Sequence, residues 1–191
     1  MTRSVVLILC LCVVVGSTIA GEPPAYMQAT AGSTAEIKIE REKEGALRAD
    51  ELELLPSARR PKLRGAIEAV DSIRQAIRVF GQWITVTRET QFLDQTDTPI
   101  GFRSLKPDTR VEVSCKVDSL GNWSARHLRT QGVKSSDKIK GTISRTAYDG
   151  RSPDTLEIEG LKIIVTDRTE VFRTLGGAAE AADTAGMSEE Q

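Results

Sequence analysis

Histidine, cysteine and aromatic residues are scarce in this chain: one His, three Cys and 4% Phe, Trp and Tyr among 191 residues. A Ser–His–Asp triad would depend wholly on His127, and so few soft ligands leave little to build a zinc site from. An excess of one charge is also missing. Lys and Arg total 26 against 27 acidic residues, so no global field draws the chain toward nucleic acid. The chain has no phosphate loop, dinucleotide fingerprint, CxxC pair or HExxH helix. Long hydrophobic runs are absent too, except for one at the very start.

That run, Val5 to Val15, follows Arg3 and precedes Ser17-Thr18-Ile19-Ala20-Gly21. A basic n-region, an apolar core shorter than the ~20 residues of a membrane span, and small residues before a cut describe an export signal. Residues 1–20 are therefore expected to be a signal peptide cleaved after Ala20, which places the mature chain in the bacterial periplasm or medium. A retained anchor over residues 4–20 is the alternative. Lipid attachment at Cys10 or Cys12 is disfavoured by the bulky leucine before each. Cleavage shortens the 191 residues by 20, to 171, and removes Arg3, so 25 basic residues face 27 acidic ones. Cys115 becomes the lone cysteine. It sits in the apolar alternation Val111-Glu112-Val113-Ser114-Cys115, where a buried small hydrophobe is expected, and no internal disulfide is possible.

Self-comparison shows a period. Leu63-Arg64-Gly65-Ala66-Ile67 aligns with Ile139-Lys140-Gly141-Thr142-Ile143 at an offset of 76, and Gly45 to Leu52 aligns with Gly121 to Leu128 at the same offset. Gly81 to Thr87 matches Gly160 to Thr166 at 79, a spacing that Thr90 and Thr169 keep, so three residues are inserted near Asp149 to Pro153. A fixed period of this kind decides architecture before any local assignment. Alternating apolar residues around Gly81 and Gly160 predict hairpins, and Pro107-Asp108 is turn chemistry. One full unit carries strands at roughly 63–71, 75–80, 83–92, 109–117 and 123–130. The chain therefore holds two orphan strands at 35–55, a complete unit at 63–131, and three further strands at 138–174. Closing the N-terminal pair onto the C-terminal three removes exposed edges and a half-covered core. The expected fold is all-β: two five-stranded OB-like barrels, the second closed through both ends of the chain. Residues 21–34 read as a disordered linker and 175–191 as a disordered acidic tail, both poor in large apolar side chains.

The pattern G-x-I at Gly65–Ile67, V-x-G-x-x-I-x-V-T-x-x-T at Val79–Thr90, L-x-x-x-x-x-V-E-V at Leu105–Val113 and G-x-W-x-A-x-x-L at Gly121–Leu128 resembles the bacterial domain of unknown function 5666. The resemblance covers residues 35–173 in permuted order. It implies exported proteins, tandem copies and small OB-like barrels, and brings no agreed activity and no catalytic residues. Asp108 departs from it, standing where the family usually has glycine before the V-x-V strand.

Few residues suggest chemistry. His127 has no second ligand at a chelating spacing and reads as a solvated strand residue. Glu157 and Glu159 share one strand face and read as solvated rather than as a glycosidase pair. Arg59, Arg60, Lys62, Arg64, Arg74 and Arg78 cluster before Phe80 and Trp83, and OB-like barrels use such basic-aromatic faces for oligomeric ligands. The ligand-binding candidates are Arg60, Arg64, Arg78, Trp83 and Arg126, although Trp83 and Trp123 are also expected as core fillers. No catalytic residue, metal site or cofactor is expected. The function expected is a non-enzymatic module that binds or assembles with another envelope protein. The alternative is a carrier for an oligosaccharide, polyanion or metal ion. Nucleic acid is disfavoured as a partner, and no membrane span is expected after cleavage.

Overall fold

The computed structural model describes residues 25–42, 45–56, 60–148 and 154–173. The expected signal peptide, the expected acidic tail, the three-residue insertion around 149–153 and Arg59 lie outside the described residues. The described chain is all-β, with two short 3-10 turns at Ala25–Gln28 and Phe102–Ser104 and no α-helix. No helix among the described residues is long and apolar enough to cross a membrane.

Twelve strands follow the alternation of the sequence: β1 Thr34–Arg41, β2 Leu47–Leu55, β3 Lys62–Ala66, β4 Ala69–Asp71, β5 Ala76–Val79, β6 Gln82–Leu93, β7 Arg110–Val117, β8 Trp123–Thr130, β9 Lys138–Ala147, β10 Asp154–Ile158, β11 Leu161–Val165 and β12 Glu170–Arg173. The stretch 63–71, read as one strand, is two. Between β3 and β4 the Ile67 amide donates to Thr109 O and the Glu68 amide to Arg78 O, so the chain bends and changes partner there.

Pairing proceeds through two rings. β1, β2, β11, β10 and β9 form a closed cycle, in which the N-terminal strands hydrogen-bond to the C-terminal ones. β12 continues the link by pairing with β2. β3, β7, β8, β6, β5 and β4 form the other cycle, closed covalently where β3 bends into β4. Register recurs between them. Thr85 faces Ser124 as Ile164 faces Arg48, and Gln91 faces His127 as Glu170 faces Glu51. Buried threonines do the same: Thr90 Oγ1 donates to Ala125 O at 2.7 Å and Thr169 Oγ1 to Ala49 O at 2.9 Å.

The two rings are not separate bodies. β3 pairs antiparallel with β9, so all twelve strands belong to one sheet. Each of these strands would otherwise carry an unpaired edge, and each satisfies the other.

Local backbone chemistry repeats as well. Phe80-Gly81 and Glu159-Gly160 all have positive φ, as a two-residue hairpin matched to strand twist requires. A Cβ on Gly65 would lie 2.8 Å from the Phe80 ring, and one on Gly141 2.8 Å from Ile158, so both strands need glycine for close approach. Asp108 takes φ 66° where Gly32, 76 residues earlier, takes 89°. The amides of both donate across the ring, to Ile67 O and Ile143 O, at 2.8 Å. The substitution therefore leaves the turn unchanged.

Two expectations are corrected. Part of the supposed linker is folded: Tyr26 and Ala29 enter the core, and the Tyr26 hydroxyl donates to Asp154 Oδ2 at 2.6 Å. Of the two tryptophans, Trp123 is buried but Trp83 is 41% exposed. Trp83 lies out of phase with buried Ile84 and Val86 on β6, so its side chain points outward. Cys115 is buried as expected, and burial pushes its thiol up to about 12, far from a nucleophile's range.

Candidate functional site

The residues singled out in the sequence fall into separate groups. Arg78 and Trp83 face each other across the β5–β6 hairpin, with the guanidinium 5.5 Å from the indole centroid. Glu68 holds this corner: its carboxylate accepts from the Gly81 amide at 3.0 Å and pairs with Arg41 at 2.7 Å. Arg126 lies instead along a groove of about 390 Å³ with Lys116, Gln91 and His127. His127 is exposed there, and among the described residues no group of three His, Cys, Asp or Glu side chains converges to hold a metal. Arg60 is exposed just before β3. Arg64 belongs to a third group, which contains residues not foreseen.

That group lies where the rings join, on the four neighbouring strands β1–β9–β3–β7. Two rows of residues cross them. One runs Lys38, Lys138, Arg64, Glu112, and the other Glu36, Lys140, Lys62, Ser114. The rows map onto each other when the strands are read in reverse, because Leu63 faces Ile139 at the centre and the two are one 76-residue offset apart. A local twofold therefore relates Glu36 to Glu112, Lys138 to Lys62 and Lys140 to Arg64. Each glutamate holds two cations. Glu36 bonds Lys138 at 2.8 Å and Lys140 at 2.5 Å, while Glu112 bonds Lys62 at 2.8 Å and Arg64. The six side chains line a depression of about 120 Å³.

Burial alone would raise the Glu36 carboxyl, but hydrogen bonds from Lys138 and Lys140 outweigh it and bring the group down to about 2. Glu112 is lowered in the same way, against burial, by Lys62 and Arg64. A carboxyl depressed in the folded state stabilises fully above its ordinary value and loses that contribution as pH falls through the folded value. The Glu36 side chain is 22% exposed, so screening is incomplete and its contribution is on the order of 3 kcal/mol. Urea midpoints should therefore fall between about pH 4.5 and pH 2, and Glu36→Gln should flatten that part of the profile. An unchanged profile would show that the ion pairs contribute nothing.

The sequence held a signal for this face. Lys62-Leu63-Arg64-Gly65 and Lys138-Ile139-Lys140-Gly141 place cations at the same two positions, and Glu36 and Glu112 also stand 76 apart. Which strands would be neighbours across the junction was not readable, so those charges did not come together in the sequence.

Fold and site thus define a class: an all-β protein of two linked strand rings, with a cation-rich sheet face at their junction. Residues 64–129, which span β3 to β8, match the family described as Domain of unknown function (DUF5666). No curated protein matches the chain. No solved structure matches it either.

Proposed function

We propose that the chain is an exported, non-enzymatic module of two small OB-like β-barrels, and that it works in the bacterial cell envelope by binding an anionic ligand. On this reading the two strand rings are the barrels. They are copies of one unit, the second closed through the chain ends after a signal peptide is removed. One observation carries the choice of ligand: Lys62, Arg64, Lys138 and Lys140 stand together on one face against only two carboxylates. Like charges on neighbouring strands weaken a sheet unless something of opposite sign uses them. Arg78 stacked on exposed Trp83 offers a second contact of the kind OB-like faces use. The mature chain should be retained on an immobilised polyanion such as dextran sulfate at low ionic strength and released by salt, in the manner of multiple phosphate-type contacts. Absence of retention, together with recovery of a stoichiometric protein partner from envelope extracts, would replace the carrier with an assembly component.

A further inference from the structure

At the centre of the junction face, Lys62 lies directly opposite Lys140 and Arg64 directly opposite Lys138. Ordinary cross-strand pairing sets opposite charges against each other, and like charges directly opposite are destabilising. Here both central pairs are like-charged. The glutamates stand on the flanking strands β1 and β7, so each clamps two cations from outside and the four-cation square keeps a net charge of +2. The clamps also fix the cationic heads, which lowers the ordering cost of binding. Lys140 is only 19% exposed and Lys138 33%, so an anion meets them in a less screened setting than at an open surface.

We propose that this square binds one doubly charged tetrahedral oxyanion, a phosphate or sulfate group, on the local twofold. The inference rests on the anionic-ligand reading above and gives that ligand a place and a chemical group. Size supports the choice. A depression of about 120 Å³ between the four cationic heads has room for one such group. Symmetry supports it as well, because a tetrahedral oxyanion presents equivalent oxygens to the Lys62/Arg64 and Lys138/Lys140 halves. A net +2 is matched by a dianion and not by chloride.

Inorganic sulfate and inorganic phosphate, titrated into the mature chain by calorimetry at low ionic strength, should each bind saturably at one ion per chain, with chloride competing weakly. Lys62→Gln/Lys138→Gln leaves each glutamate one partner and relieves the central repulsion. It should weaken sulfate at least tenfold in any preparation whose circular dichroism is native. Glu36→Gln/Glu112→Gln raises the square to +4 and should tighten sulfate about tenfold in any preparation whose circular dichroism is native. A merely structural network predicts unchanged sulfate binding in the lysine variant, and that result would overturn the proposal. Dextran sulfate separates the sources: affinity per sulfate no better than the free ion points to the ion itself, and a large gain points to a sulfated or phosphorylated polymer. Retention on dextran sulfate without free-ion binding, abolished by Arg78→Ala/Arg126→Ala, would overturn the junction site and leave the anionic-ligand reading standing. If no anion binds, both fail.

Discussion

Deleting residues 21–56 should unfold the C-terminal ring, with the amides of β9 to β12 exchanging rapidly while β5 to β8 stay protected. The deletion removes β1 and β2, which pair with β9, β11 and β12. It also takes four large buried aliphatics from the core: Ile37, Ile39, Leu47 and Leu52. At about 1.5–3 kcal/mol for each buried side chain, the loss is roughly 6–12 kcal/mol, comparable to the whole stability of an ordinary domain. The Tyr26–Asp154 hydrogen bond goes too, leaving a buried carboxylate without that donor. The complete ring keeps its own pairing and loses only β9 from the edge of β3. Hydrogen exchange by mass spectrometry reads both halves in one sample. Persistent protection over residues 138–173 would mean that the C-terminal strands hold themselves together.

What the sequence revealed, and what it withheld, follows from the range of each signal. Alternation and turn chemistry are local, so the strands from Leu47 to Leu55 and from Trp123 to Thr130 were legible. The 76-residue offset carried one longer-range fact, that the ends of the chain complete a unit. It also extended further than expected. Tyr26 stands 76 residues before Phe102, and Ala29 before Leu105, so the two 3-10 turns occupy matching positions. The segment nonetheless looked unstructured, because alanine, threonine and glycine around Tyr26 hide one buried ring in a polar stretch. The junction face was hidden for a different reason. Pairing of β3 with β9 joins residues that no alternation relates, and only that pairing sets Lys62 opposite Lys140. Arg78 and Trp83 were found because a hairpin is local, whereas Arg126 and Arg64 were grouped with them by composition and are held apart by topology.

The two tryptophans provide the sharpest energetic contrast. Trp123→Ala should cost about 3–5 kcal/mol, as removal of a large buried aromatic does when the surroundings relax only partly. Its side chain is 2% exposed and lies between strands on both sides, opposite Ile84 on β6 and Val117 on β7. For a chain of this length the loss should lower the melting temperature by roughly 10–15 °C. Trp83→Ala removes an indole of equal size that is 41% exposed and is covered by the Arg78 guanidinium. It should cost about 1 kcal/mol or less, the scale of an exposed cation–π contact. Fluorescence separates the pair independently: the Trp83→Ala protein should emit to the blue of the Trp123→Ala protein, since its remaining indole is the dry one. Thermal melts and urea titrations of the two variants side by side give the measurement. Equal destabilisation would mean that Trp83 is part of the core and that β6 faces the other way, whereas a gap of about 3 kcal/mol fixes which face of β6 is free to meet a ligand.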